Sequence, residues 1–187
     1  MTKDSLASAQ SPPAIADFLF ARRESILNSW RTTCELDKTI QTVSNLSREE
    51  FNDMVPTILN ILGQRLNNQK EESSAILVAS EHGLQRWHKG YTLRELLKEI
   101  GHLFEEISNE LKTYQELYPA SDPKLFAEVY PKMLTLYEET VEGSAARYDE
   151  LERTAAASRA DTLQSALDQL NDLSRQRTDL LRTSRHE

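Results

Sequence analysis

Apolar positions recur along this chain at intervals of three and four, which is the signature of amphipathic helices. Pro12-Pro13 opens the first pattern, at positions where a helix does not need their missing N–H groups. Ile15, Phe18, Leu19, Ile26 and Trp30 then fall on one face. A second stripe, Phe51, Met54, Val55, Ile58, Leu59, Leu62 and Leu66, follows Ser47-Arg48-Glu49-Glu50, a capping box, with Pro56 close enough to the start to be tolerated or to bend the helix slightly. After the polar stretch 67–72, Ile76, Leu77, Ser80, Gly83, Leu84 and Trp87 mark a third helix, which Gly90 stops. Thr92-Leu93-Arg94-Glu95 is another capping box and opens a fourth, with Leu93, Leu96, Leu97, Ile100, Leu103, Phe104, Ile107 and Leu111 on its apolar face. Asp122-Pro123 starts the last pattern, in which Pro131 is expected to introduce a kink. The expectation is an all-α bundle of about five helices, with a long C-terminal helix after it.

The last segment differs from the rest. Residues 151–187 lack Gly, Pro and aromatic side chains and carry six basic and six acidic residues, so the whole net charge of −8 belongs to residues 1–150. Leu163, Ala166/Leu167, Leu170, Leu173 and Leu180/Leu181 form a seam of the coiled-coil kind, with Arg177 inside it. Unbroken from Lys124 to Glu187, such a helix would be about 95 Å long at ~1.5 Å per residue. It needs a partner helix, and the simplest is the same helix of a second subunit: a homodimer with Leu163, Leu167, Leu170, Arg177 and Leu181 in the seam. Three regions follow: a disordered lead (1–13), a helical domain (14–145) and a dimerising helix (146–187).

Acidity argues against nucleic acid as a partner, since phosphate binding requires a basic footprint. The chain holds five Gly and six Pro, which disfavours all-β folds and glycine-cradled phosphate sites. A lone cysteine, Cys34, leaves no internal disulfide or multi-cysteine metal site. No apolar run reaches membrane-span length, and Met1–Ser11 does not read as a signal peptide, so a cytoplasmic protein without membrane contact is expected. Among the four histidines, His82, His88, His102 and His186, no metal-ligand spacing occurs. Histidines held by hydrogen bonds are preferred over haem or metal ligands, and no cofactor is expected in this chain. No nucleophile–base arrangement stands out either.

The densest polar cluster lies at residues 81–99. Gly83 sits on the apolar stripe of its helix, where another helix can approach closely. Glu99 falls between Leu96 and Leu103 on the apolar face of the next helix, so a buried carboxylate is expected, with Arg86 or His82 as its partner across the hairpin. His82, Arg86 and Glu99 thus form a candidate polar latch. A ligand-sensing pocket at the same place is the sharper alternative.

His82-Gly83, Arg86, Gly90-Tyr91, Leu93, Glu95-Leu96-Leu97 and Glu99 resemble the N-terminal sensor domain shared by stressosome RsbR-type (RsbRD) proteins and some bacterial sensor histidine kinases. The resemblance covers roughly residues 14–145. It implies a globin-like helical fold without haem, usually dimeric. The C-terminus, Leu180-Leu181-Arg182-Thr183-Ser184-Arg185-His186-Glu187, is similar to the start of the phospho-accepting box of histidine kinases, although Arg185 stands where a small residue is usual. By that resemblance His186 is the phosphoryl acceptor and Glu187 its acid/base assistant. Together the two imply the sensory input and dimerisation portion of a two-component sensor histidine kinase. Its ATP-binding domain lies outside this chain, ATP belongs only to that domain, and a response regulator is a possible partner. A signal would change the domain 14–145 and pass along paired helices to His186. The alternatives are a stressosome-like scaffold without phosphotransfer, or a globin-like receptor for a small ligand.

Overall fold

The computed structural model describes residues 11–183, and these are helical with no strand among them. Seven α-helices follow in order: α1 (Pro12–Ala21), α2 (Arg23–Leu36), α3 (Arg48–Asn52), α4 (Val55–Leu66), α5 (Ala75–His88), α6 (Leu93–Leu117) and α7 (Pro123–Thr183). A short 3₁₀ turn, Thr42–Asn45, joins α2 to α3. The chain divides into two compact units, Met1–Tyr148 and Asp149–Glu187.

Two of the patterns read as single helices are each split in two, which accounts for the larger helix count. At Arg22 the amide N–H is shared between the carbonyls of Phe18 and Leu19, each 3.2 Å away, and the helix re-forms from Arg23. At Asp53 the backbone turns to φ +41°, a conformation an L-residue enters at a cost. The capping box closes α3 as expected: Ser47 Oγ accepts from the Glu50 N–H at 3.2 Å, and Glu50 Oε2 accepts from the Ser47 N–H at 2.9 Å. Pro56 occupies the first turn of a new helix, α4, where its missing N–H is harmless. At the start of the chain, the Ser11 hydroxyl caps α1, so helix begins at Pro12, inside the stretch assigned to the lead.

The other boundaries fall where the chain's stop and start residues stand. Gly90 takes φ +82° after α5, a conformation that glycine tolerates best. Thr92 and Glu95 cap α6 reciprocally, with Thr92 N–H to Glu95 Oε2 at 2.8 Å and Glu95 N–H to Thr92 Oγ1 at 3.2 Å. The Glu95 carboxylate also accepts from the Gln41 N–H at 2.8 Å, tying the cap to the connection after α2. Asp122 Oδ1 accepts from the Lys124 N–H at 2.9 Å at the start of α7, which then runs through Pro131 as one element.

The core of the first unit sits among α1, α2, α4 and α6. Helix α1 lies against α4 and α6, and α2 against α6. Trp30, Phe51, Leu66, Ile107 and Leu111 are fully enclosed, each such side chain contributing roughly 1.5–3 kcal/mol of transfer free energy. Trp30 and Phe51 stack with ring centroids 4.2 Å apart, and Trp30 Nε1–H donates to the Glu99 carbonyl at 2.9 Å. Glycines bring α7 onto α5. A Cβ on Gly83 would stand 2.5 Å from the Ser144 carbonyl oxygen, and one on Gly143 would stand 2.4 Å from that of Ile76. Ser144 Oγ–H completes the contact by donating to the Ala79 carbonyl at 2.9 Å.

From Ala156 to Thr183 every residue of α7 is exposed. The leucines of the expected seam are 54–70 % accessible: Leu163 66 %, Leu167 54 %, Leu170 62 %, Leu173 60 %, Leu180 70 % and Leu181 55 %. Among the described residues, no helix is long and apolar enough to cross a membrane.

Candidate functional site

Helical geometry puts His82 and Arg86, four residues apart, on the same face of α5. Across the hairpin α6 presents Glu99. The structure brings these three side chains into one cluster and encloses them, at 1, 0 and 0 % exposure respectively. Glu99 Oε1 accepts twice there, from Arg86 Nε–H at 2.8 Å and at 3.0 Å from His82 Nε2.

Two further partners come from the α3–α4 junction. Asp53 Oδ2 lies 2.8 Å from His82 Nδ1. Because α3 ends after a turn and a half, its last carbonyls lack helical partners. Arg86 supplies them: its NH1 donates to the Glu50 carbonyl at 3.1 Å, and its NH2 donates to that of Phe51. Gln85 Nε2 also donates to the Glu50 carbonyl, at 3.0 Å, and the Gln85 side-chain oxygen accepts from Arg86 NH1. Arg86 is therefore both the countercharge of Glu99 and the C-terminal cap of a short helix. The Phe51 and Tyr91 rings flank its guanidinium at 5.3 and 5.2 Å.

Carboxylates can only accept, and both ring nitrogens of His82 face one. Two good bonds require both nitrogens to carry hydrogen, which is the imidazolium form. In that form Arg86 and His82 balance Glu99 and Asp53 charge for charge. Burial acts to push the Glu99 carboxyl up, yet the Arg86 charge and the His82 hydrogen bond together hold it below the ordinary glutamate value. Burial, followed by the Glu99 charge, drives the Tyr91 phenol well above its usual range. Glu99 Oε2 and the Tyr91 hydroxyl are the cluster's two remaining buried oxygens, and Tyr91 adds to what holds the Glu99 carboxyl down.

The cluster touches α7 through Tyr91. Tyr148 Oη–H, at the end of the first unit, donates to the Tyr91 carbonyl at 2.9 Å. Gly83, next to His82, is one of the two glycines at which α7 and α5 pack backbone to backbone. Sequence reasoning found His82, Arg86 and Glu99 from their positions on apolar faces. It missed Asp53 and the α3 carbonyls, because no periodic pattern shows that α3 stops at Asn52.

All three side chains of the cluster are closed off from solvent. A cavity does open elsewhere in the unit, and none of His82, Arg86 and Glu99 lines it. Neither His82 nor His102 offers a free ring nitrogen: His102 Nε2 is 2.8 Å from Asp37 Oδ2 and its Nδ1 3.5 Å from Glu105 Oε2. The Thr39 hydroxyl, and after it His102, hold the Asp37 carboxyl well below the usual range. Cys34 is buried, and that burial pushes its thiol up, away from nucleophilic reactivity. Among the described residues no group of three or more His, Cys, Asp or Glu side chains could hold a metal ion. His186 and Glu187 lie outside the described residues.

No family model matches this chain, and neither a curated protein nor a solved structure does.

Proposed function

We propose that this chain is the sensory input and dimerisation portion of a two-component sensor histidine kinase. In this reading the first unit receives the signal, and α7, paired with its copy in a second subunit, carries it toward His186. One observation carries the proposal: Leu163, Ala166, Leu170, Leu173, Arg177 and Leu180 alternate at three- and four-residue spacing, and the leucines on and beside this seam are 54–70 % exposed on a helix whose other faces are polar. Six leucines in such a row have no reason to be maintained in water, and a second copy of the same helix covers them in register.

Two features support a relay. The latch reaches α7 through Tyr91 and Tyr148, so a rearrangement at Glu99 bears on the helix where it leaves the first unit. Arg177, among the leucines, weakens one seam packing relative to another, which suits a coiled coil with two nearby states. The resemblance to RsbR-type sensor domains and to the phospho-accepting box assigns the two ends of that path.

Light scattering coupled to size exclusion tests the pairing, with a mass near twice 21.4 kDa expected. Joining a histidine-kinase core in register after Glu187 tests the relay. Autophosphorylation should depend on His186, be lost in His186→Gln and Leu170→Asp, and change in Glu99→Gln. A dimer whose fused kinase ignores Glu99→Gln would instead fit the stressosome-like scaffold, and a monomer would remove both readings.

A further inference from the structure

On the side of the first unit built from α1, α4 and the start of α2 lies a cavity of about 340 Å³, within the size range of small-molecule sites. Its floor is core: Leu19, Ile26, Leu62 and Ile107, none more than 8 % exposed. Gly63 forms part of the wall. A glycine in mid-helix costs about 1 kcal/mol relative to alanine. At Gly83 and Gly143 that cost accompanies close backbone contact, but a Cβ on Gly63 would meet nothing within 4 Å. The missing side chain leaves the space open.

Polar groups on the lining carry both signs. Arg23 rests over the exposed Phe20 ring at 4.2 Å, and among the described residues it bonds no carboxylate. The arginines nearby are taken: Arg22 pairs with Glu110, and Arg65 with Glu71 and Glu139. Asp17 and Glu72 line the same cavity, and their carboxylates have no hydrogen-bond partner among the described residues either. An anion would meet two carboxylates, and a cation would leave Arg23 unsatisfied. A guest with an apolar body and both charges places each group against its complement.

We propose that this cavity is a binding site for a small zwitterion with an apolar side chain, the chemistry of a branched or aromatic amino acid. Its carboxylate pairs with Arg23, its ammonium faces Asp17 and Glu72, and its side chain rests on the leucine and isoleucine floor. The proposal stands on the cavity alone and does not depend on the kinase reading.

Titration of the full chain with L-leucine and L-phenylalanine, followed by calorimetry and by methyl NMR signals of Leu62 and Ile107, tests it. Octanoate and 3-methylbutylamine serve as the single-charge probes. The amino acids should give saturable shifts at these methyls and a rise in the melting midpoint, while each single-charge probe binds about tenfold more weakly. Gly63→Leu should fill the cavity and abolish binding without lowering the midpoint. Arg23→Gln should weaken leucine by a similar factor and leave the amine unchanged. Absence of saturable binding by either amino acid at millimolar concentration overturns the site. Binding that survives in folded Gly63→Leu overturns its location, and octanoate or amine binding more tightly than leucine overturns the ligand class. Should Gly63→Leu fail to fold, Gly63→Ala replaces it, with reduced leucine affinity expected and unchanged affinity contradicting the location.

Discussion

Leucine behaves in two ways in this protein. In the first unit Leu62, Leu66, Leu103 and Leu111 are 2 % exposed or less, whereas in the second Leu163, Leu167, Leu170 and Leu173 are 54 % exposed or more. The side chains and their helical spacing are alike. What differs is the supply of neighbours: α1, α2, α4 and α6 cover one another's stripes, whereas residues 156–183 of α7 are exposed throughout among the described residues. The units also handle charge differently. The first carries −6 of the net −8, yet encloses Arg86, His82 and Glu99 together, whereas the second carries only −2 and its residues 156–183 are all exposed. An apolar stripe therefore reports the need for a partner, not where that partner comes from.

The contrast predicts that substitutions in the first unit change its stability and those in the second change association. The largest effect should come from Glu99→Leu, which leaves the Arg86 guanidinium buried without its carboxylate and takes from His82 one of its two carboxylate partners. A loss of about 3–5 kcal/mol is expected, read from urea or thermal unfolding. An unchanged midpoint would mean that the cluster contributes nothing to holding the helices. Gly83→Ala comes next, because its Cβ would press on the Ser144 carbonyl. Overpacking of this kind costs about 1–3 kcal/mol, and a neutral outcome would show that α7 can move off α5 easily.

Acid should act on the first unit as well. Glu95 and Glu99 are held below their ordinary values in the folded state, where hydrogen bonds and, for Glu99, the Arg86 charge outweigh burial. Their contribution to stability is thus complete above the unfolded value, about 4.3, and is lost as pH falls through the folded values. Glu50, taken down to about 2 chiefly by Lys89 and then by the Ser47 backbone, carries the decline further in the same direction. Stability should be flat from neutral pH to about 5 with respect to these groups and fall below that. Glu99→Gln should flatten the acid limb, and an unaltered limb would exclude Glu99 as its source.

The smallest change in stability is expected from Leu170→Asp. The melting transition of the first unit should move by no more than about 0.5 kcal/mol equivalent, while the sedimenting species becomes a monomer. If the variant remains a dimer, subunits meet through the first unit. If its core melts earlier, the second unit supports the first within one chain.

Helix identity could be read from this sequence wherever local chemistry is strong. The capping boxes at Ser47 and Thr92 and the stop at Gly90 depend only on residues a few positions apart, and each acts in the fold as its pattern implies. Glu99 was recognisable as a buried carboxylate because the flanking leucines state which way its face points. The breaks at Arg22 and Asp53 were not recognisable. Asp53 takes its unusual backbone angle where its carboxylate meets His82, 29 positions away, and Arg86 caps α3 from 35 positions away. The chain by itself determined an all-α protein, its capping signals, the apolar stripe of its last helix and the three residues of the buried cluster. Only the tertiary structure decided where two helices break, that Asp53 joins Glu99 as a partner of His82, and that a cavity lies beside Gly63. Caps and periodic faces follow from interactions within one or two turns. Buried charge and empty volume depend on which distant segments meet.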